Sequence, residues 1–508
     1  MEEEGESLEK FLKWASKIGI SDSPSNHPLE SSSCLGQSLC VSFFPVSGGR
    51  GLAAARDLRK GELILRVPKS ALMTRESLMK DEKLSVAVNK HPSLSSTQIF
   101  TVCLLYEMSK RKSSWWYPYL MQLPQSYDTL ACLGHFETEA LQVDDAIWAA
   151  EKATSKAECS WVEAIPLMKE LNLKSRTHSF RAWLWASATI SSRTLHIPWD
   201  DAGCLCPVGD LFNYDAPGED ALDSGDSFVT DDPSDWRSAS SSLWNGDTTE
   251  QYDGEQLDVH LFRLTDGGYE EDVSAYCFYA RRNYQKGEQV LLSYGTYTNL
   301  ELLEHYGFLL DKNPNDKAFI PVEPEVYSSC SWPKDSLYIH QNGKPSFALR
   351  SALRLWLTPK NQRRAVGHLI YSGSQLSVEN EKIVMGWTVK TCKAVLKNFA
   401  TSIEEDKLLV REINKIEDFG RSGKLVNVLS TFEGEARAFL ENRCMINGES
   451  GVKLLEFRVI RRHIDRWKLA VQWRLRYKRI LADCITFCTE IINKILSVNG
   501  SAMRTNTQ

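Results

Sequence analysis

The chain predicts an α+β protein: a β-rich domain interrupted by a helical insert, followed by an all-helical domain. Three observations carry this. Short apolar runs bounded by Gly or Pro cluster at residues 40–67 and return at 280–295. Between them, residues from about 95 to 195 place apolar side chains at helical spacing. From about 335 onward that helical spacing is nearly continuous.

The elements follow in order. Leu8, Phe11, Leu12, Ala15 and Ile18 lie on one helical face, and Gly19 can close that helix. Ser21 to Ser33 reads as a polar loop. Strands are expected at Cys40–Phe44, Gly51–Ala55 and Glu62–Val67, the last stopped by Pro68. The turn Lys60-Gly61-Glu62 is echoed by Lys286-Gly287-Glu288, each throwing the chain into an apolar strand. Ile99–Met108 and Phe180–Ser191 are the clearest helices of the insert. Residues 216–272 hold 16 acidic residues against 2 basic ones among Ser, Gly and Thr. Such a segment buries too little apolar surface to offset its ordering entropy, so a disordered acidic loop is expected.

In the last third, Ser351–Leu357, Ile383–Phe399 and Ile403–Lys415 read as helices, and 430–497 as one long helical segment. Phe457, Ile460, Ile464, Trp467 and Val471 recur at steps of 3, 4, 3 and 4, a seam that must pack on neighbouring helices. The expected division is an N-terminal helix and loop at 1–35, a β-rich domain at 36–312 and a helical domain at 335–500.

Composition narrows the function class. A net charge of -6 gives no general attraction to nucleic acid or acidic membranes. No run approaches the roughly 20 apolar residues that span a bilayer. The acidic opening Met1 to Glu6 argues against a secretory signal or transit peptide. Thirteen scattered cysteines read as reduced thiols of a cytoplasmic or nuclear protein. The close pairs Cys204/Cys206 and Cys484/Cys488 lack partners at zinc spacing, so no metal site is expected.

Chemistry concentrates in three segments. Gly48-Gly49-Arg50-Gly51-Leu52 supplies glycines where backbone can approach a ligand. Cys206 to Tyr214 contains Asp210 and Asn213. Gly287 to Gly295 ends in Tyr294 and is followed by Tyr306-Gly307-Phe308. Together they suggest one cofactor pocket made by an Asn-bearing turn and a Tyr-tipped strand.

In this order, around a helical insert, the segments resemble the SET-domain methyltransferases. They are most similar to the class of Rubisco large-subunit lysine methyltransferase and actin-histidine methyltransferase, and to plant SET DOMAIN GROUP proteins. Trp116-Tyr117-Pro118-Tyr119, Leu123-Pro124 and Tyr127-Asp128-Thr129 resemble that class's insert. The resemblance implies a SET fold with a threaded C-terminal segment and a helical substrate-binding domain that docks a protein substrate. It implies S-adenosylmethionine as cofactor. Gly48, Gly49 and Arg50 would line it through backbone groups, and Arg193 would meet its carboxylate. Asp210, Asn213 and Tyr214 would cradle its amino group and adenine, with Tyr306, Gly307 and Phe308 closing the adenine side. Tyr294 would be catalytic.

The chain departs from the class in places. Tyr214 follows Asn213 where histidine is usual. Thr194 and Leu195 stand where the actin enzyme carries amides, Gly209 where it has Trp, and Tyr297 where it has Arg. These favour lysine over histidine as the methylated residue, since an apolar side chain cannot hold an imidazole by hydrogen bonds. The competing readings are a catalytically silent SET-fold binding protein and a histidine or histone methyltransferase. The basic run Arg458, Arg461, Arg462, Arg466, Lys468, Arg474, Arg476, Lys478 and Arg479 raises RNA contact, but such runs are usually a solvated face, and nucleic acid is not expected as a partner.

Overall fold

The computed structural model describes residues 2–23, 33–44, 49–217, 266–422, 431–448, 451–454 and 457–505. Helix α1 (Glu2–Lys17) buries Phe11 and Ala15 completely, the stripe expected from its spacing. Strands β1 (Leu39–Phe44) and β2 (Gly49–Ala54) form a hairpin in which Leu39 faces Ala54 and Phe44 faces Gly49. β3 (Leu63–Pro68) starts a second sheet.

The insert is helical. After α2 (Arg75–Leu78) and α3 (Glu82–Asn89), helix α4 (Ser96–Lys110) opens on a Ser95/Gln98 capping box. It is buried almost all round, from Ile99 to Glu107, which suits a central helix of the first core. Then come α5 (Tyr117–Leu120), α6 (His135–Glu139), α7 (Asp144–Glu170) and α8 (Phe180–Arg193).

The β-structure resumes with the hairpin β4 (Thr194–Ile197) and β5 (Asp200–Leu205), followed by β6 (Asn213–Tyr214). β7 (Gly267–Glu270), β8 (Ala275–Tyr279) and β9 (Gln289–Leu292) complete it. One sheet has the order β1-β2-β9-β6 and another β3-β8-β7. β6 lies parallel to β9, with Asn213 beside Leu291. That non-sequential pairing brings the Asn213 turn against the strand that leads to Tyr294. Helix α9 (Asn299–His305) follows on a Thr298/Glu301 capping box.

The second unit has β10 (Lys317–Ala318), α10 (Pro324–Ser329), β11 (Ile339–His340), α11 (Phe347–Trp356) and α12 (Arg363–Tyr371). The longer helices α13 (Val378–Asn398) and α14 (Ile403–Arg421) precede α15 (Gly434–Phe439), the hairpin β12 (Met445–Gly448) and β13 (Gly451–Leu454), and α16 (Phe457–Thr505). Ile460, Ile464, Trp467 and Val471 are fully buried in the seam that α16 presents to α13 and α14.

Two expectations are corrected. The acidic segment is not loop throughout: Gly267–Glu270 forms β7, held by pairing with β8, while 218–265 lies outside the described residues. The stretch 430–497 is not one helix, because β12 and β13 pair antiparallel ahead of α16, Met445 with Leu454 through Gly448 with Gly451. The insert does not serve the β-rich core alone. Leu130, Leu141, Ala146 and Ala150 pack in the helical core, whereas Ala164, Leu167 and Met168 pack in the β-rich one. Helix α7 therefore belongs to both.

Candidate active site

The turn after β5 sets up the site. Val208 has φ 71° and ψ -44°, a costly backbone for a β-branched residue, and it is completely buried. Asp210 amide donates to the Cys206 carbonyl at 3.0 Å, and the turn aims Asp210 inward. Its carboxylate is 4% exposed and accepts from Tyr119 Oη at 2.9 Å and from Arg193 Nη1 at 3.2 Å. Arg193, the last residue of α8, also donates to the Asp210 carbonyl at 2.8 Å and, through Nε, to Tyr127 Oη at 3.2 Å. Burial works against its charge, but Asp210 and the phenols of Tyr127 and Tyr119 hold the guanidinium above its usual range.

Next to this cluster stands Asn213. Its Nδ2 is buried with no hydrogen-bond partner among the described residues, as is Nε2 of Gln289. Both nitrogens crowd Gly51: a β-carbon there would lie 2.6 Å from Asn213 Nδ2 and 3.1 Å from Gln289 Nε2. Two unmatched donors over a glycine form a cradle suited to a ligand that brings acceptors. These residues fit a cofactor carrying a carboxylate or carbonyl. Gly49 begins the same strand, and the Arg50 guanidinium turns to Gln122, bonding its Oε1 at 2.8 Å and its carbonyl at 2.7 Å.

Aromatic rings make the other wall. Tyr294 stacks on Tyr306 at 5.3 Å and leans on Tyr214 at 5.2 Å. Phe308 lies 6.0 Å from both Tyr214 and Tyr306. Tyr294 Oη donates to the Phe212 carbonyl, and Tyr214 Oη to the Gly295 carbonyl at 2.8 Å. Burial lifts the Tyr294 phenol well above its ordinary range, opposed by Arg193 and reinforced by Asp210 and Tyr214. Burial likewise pushes Tyr214 up to about 12. Both are therefore protonated donors at neutral pH. Gly307, at φ 77°, lets the chain after α9 lie on the loop 128–129, where a β-carbon would meet Asp128 backbone at 2.9 Å.

The family follows from comparison with known proteins. A family profile described as the SET domain matches residues 49–295, and one described as Rubisco LSMT substrate-binding matches 328–481. Protein SET DOMAIN GROUP 40 of Arabidopsis thaliana is 56% identical over 502 residues, 98% of each chain. The chain belongs to the SET-domain family. The actin-histidine N-methyltransferase of Rhinolophus ferrumequinum is 26% identical over 398 residues, which span 72% of this chain and 59% of that protein. The SET fold is seen again in a crystal structure of the SET domain of LSMT bound to lysine and AdoHcy. It shares a TM-score of 0.56 at 16% identity and covers 96% of this chain and 92% of that one.

Within the SET fold, Asp210, Asn213, Tyr214, Arg193, Tyr294, Tyr306, Gly307 and Phe308 converge as described, and Gly49 and Arg50 edge the same sheet. Gly48 lies outside the described residues. Arg193 is not a free hook, since it is already paired with Asp210. Sequence reasoning missed Tyr119 and Tyr127 as partners of that pair, and Gln289 as the second unmatched amide. Tyr119 and Tyr127 sat in an aromatic-rich stretch that hinted at packing, and Gln289 sat inside the Tyr-tipped strand; neither signal specified a partner.

The positions expected to differ from the actin enzyme have the following surroundings. A β-carbon at Gly209 would stand 2.6 Å from Phe278 and 2.8 Å from Cys206 Sγ, so a larger residue would require those buried side chains to move. Tyr297 joins the aromatic wall 5.4 Å from Tyr306. Thr194 Oγ1 turns back onto the Ile190 carbonyl, and Leu195 packs on the first core. Cys204, Cys206, Cys484 and Cys488 are buried, reduced thiols. Among the described residues, no helix is long and apolar enough to cross a membrane.

Proposed function

We propose that this SET-domain protein is an S-adenosylmethionine-dependent protein-lysine N-methyltransferase acting on a non-histone protein. The observation that carries the reading is the pair of unmatched amides over Gly51 beside a wall of tyrosines ending at Tyr294. The ligands named for the LSMT structure, lysine and AdoHcy, support it.

When bound, the cofactor supplies a sulfonium-activated methyl group. Asn213, with Gln289 beside it, is suited to donate to its polar end, and Arg193 to balance its carboxylate while Asp210 receives its amino group. Gly49 and Arg50 would approach it through backbone. Tyr306, Gly307 and Phe308 would cover its adenine. Lysine enters with a pKa of about 10.4, so the amine must lose its proton, and an apolar aromatic channel favours the neutral form. Tyr294 then orients the amine rather than deprotonating it, because its own hydroxyl stays protonated and is committed to the Phe212 carbonyl. Catalysis would then rest on holding the amine in line with the methyl group and away from water, which the tyrosine wall is suited to do.

Lysine is favoured over histidine by the lining. Gly209 is closed by Phe278, and Tyr297 presents a ring where a charged group would be needed. The helical unit at 335–500 would dock the protein substrate, and the SET unit at 36–312 would perform the transfer.

The test is transfer of labelled methyl from S-adenosylmethionine into plant cell extract by wild type, Tyr294→Phe and Asn213→Ala. Expected is one discrete labelled band with wild type, nearly lost in Tyr294→Phe and weakened at limiting cofactor in Asn213→Ala, with the label on lysine by mass spectrometry. Label on histidine overturns the lysine assignment. No transfer and no binding of S-adenosylhomocysteine leaves a silent binding protein.

A further inference from the structure

The basic run of α16 is largely consumed inside the molecule. Lys468 pairs with Glu417 at 3.2 Å, Arg476 with Asp311, and Arg474 and Lys478 with Asp406. Arg466 is the one that reaches toward the site. Its Nε donates to Asp128 Oδ1 at 2.9 Å and its Nη2 to the Tyr127 carbonyl at 3.2 Å. One turn earlier, His463 Nδ1 lies 3.0 Å from Oε1 of the fully buried Glu137, which helps to fix the same face of the helix.

The segment that Arg466 grips touches the site on two sides. Tyr127 Oη accepts from Arg193 Nε at 3.2 Å, and Arg193 is locked to Asp210. The backbone of Asp128 and Thr129 is the surface on which Gly307 rests, with a β-carbon there meeting atoms at 2.9, 3.0 and 3.1 Å. A shift of this segment would thus move the base of Arg193 and the seat of Gly307 together. Arg466 and Asp128 side chains are only 18% and 25% exposed, so this two-point grip, one bond to the Asp128 carboxylate and one to the Tyr127 carbonyl, is partly shielded from water.

We propose that Arg466 is a positioning residue for cofactor binding. From the helix of the substrate-binding unit it clamps Tyr127–Thr129, and through that segment it holds Arg193 and Gly307 in the geometry that the cofactor meets. The proposal rests on the methyltransferase reading. Its consequence is that this contact couples the two units energetically, so the helical unit affects cofactor affinity without touching the cofactor.

The experiment is calorimetric titration of full-length protein with S-adenosylhomocysteine, with thermal midpoints measured in parallel. Variants are Arg466→Gln, Asp128→Asn, Arg466→Lys and the double variant, with Lys468→Gln as a same-helix control that loses the pair to Glu417 and makes no bond to the segment 127–129. Arg466→Gln is expected to weaken binding roughly five- to tenfold, the lower end of inter-site coupling. Asp128→Asn should match it, and the double variant should lose no more than the larger single loss. Arg466→Lys should recover part of the affinity because one bond to Asp128 can reform. Lys468→Gln should bind as wild type does. Equal affinity in wild type and Arg466→Gln overturns the clamp while leaving the methyltransferase reading intact. Loss of equal size in Lys468→Gln also overturns it, since the effect is then general destabilisation. Failure of wild type to bind overturns both. If Arg466→Gln does not fold, Asp128→Asn, which keeps the arginine, decides the question on the same criteria.

Discussion

Each core holds a cluster of polar groups, and the two are built on opposite terms. In the helical core, Arg474 and Lys478 are as buried as any side chain of the protein, and all their charge is answered. Arg474 Nη2 meets Asp406 Oδ1 and Glu435 Oε2, each at 2.8 Å, and its Nη1 meets the Ala140 carbonyl at 2.7 Å. Lys478 Nζ meets Asp406 Oδ2 and the Thr401 carbonyl, each at 2.7 Å. In the β-rich core, two amide nitrogens over Gly51 are unmatched and Val208 carries a strained backbone. Burial of polar groups is tolerated when they are partnered and costly when they are not. A complete cluster is architecture, tying α14, α15 and α16 to the loop after α6. An incomplete one carries a cost in stability that, under the proposed function, a bound cofactor would offset.

That contrast can be broken from either side. The largest effect is expected from Asp406→Asn, which leaves two buried cations under-compensated: a loss of about 3 kcal/mol in urea unfolding. An unchanged midpoint would mean that the cluster is not structural. Tyr294→Phe should reduce methyl transfer about 100-fold, equivalent to about 2.7 kcal/mol, with a thermal midpoint close to wild type. A rate within twofold of wild type would remove Tyr294 from the chemistry. Asn213→Ala should weaken S-adenosylhomocysteine binding about tenfold, near 1.4 kcal/mol, while unfolding stability holds or rises because an unmatched buried amide is gone. Lower stability with intact binding would make Asn213 architectural like Asp406.

The smallest effect is a pH dependence on α16. Burial first, then Asp128 and Glu417, push the Asp465 carboxyl up to about 6 against the pull of Arg461 and Lys468. The folded state therefore holds this proton more tightly than the unfolded chain, and stability falls as pH rises from about 4 to about 6. Asp465→Asn should gain about 1 kcal/mol at pH 7.5, after allowance for solvent screening, and nothing at pH 4. Equal gains at both pH values in urea titrations would rule out ionisation as the cause.

Much of the candidate site could be read along the chain. Asn213, Tyr294 and Gly307 are recognisable because each sits in a short run whose local geometry its own neighbours set. Helix α1 was legible for the same reason, as was the α16 seam from Ile460 to Val471. Gln289, Tyr119 and Tyr127 were not, because each acquires its meaning from a partner on another element. The basic run misled in a particular way. Periodicity places Arg474 and Lys478 on one stripe of α16, but only Asp406, 68 residues from Arg474 in the chain, says that this stripe is buried.

The sequence by itself determined the alternation of β-rich and helical regions, the three motif segments and the residue types fit for a methyl-transfer pocket. Those are properties of local spacing and turn chemistry, which neighbours along the chain dictate. Tertiary structure alone decided that α7 serves two cores, that a hairpin interrupts the last helical stretch, and that Arg193 is held by Asp210 and Tyr127. It also decided which cations face water and which are buried. These depend on contacts between residues far apart in the chain, where burial and pairing energies, rather than local propensity, choose the outcome.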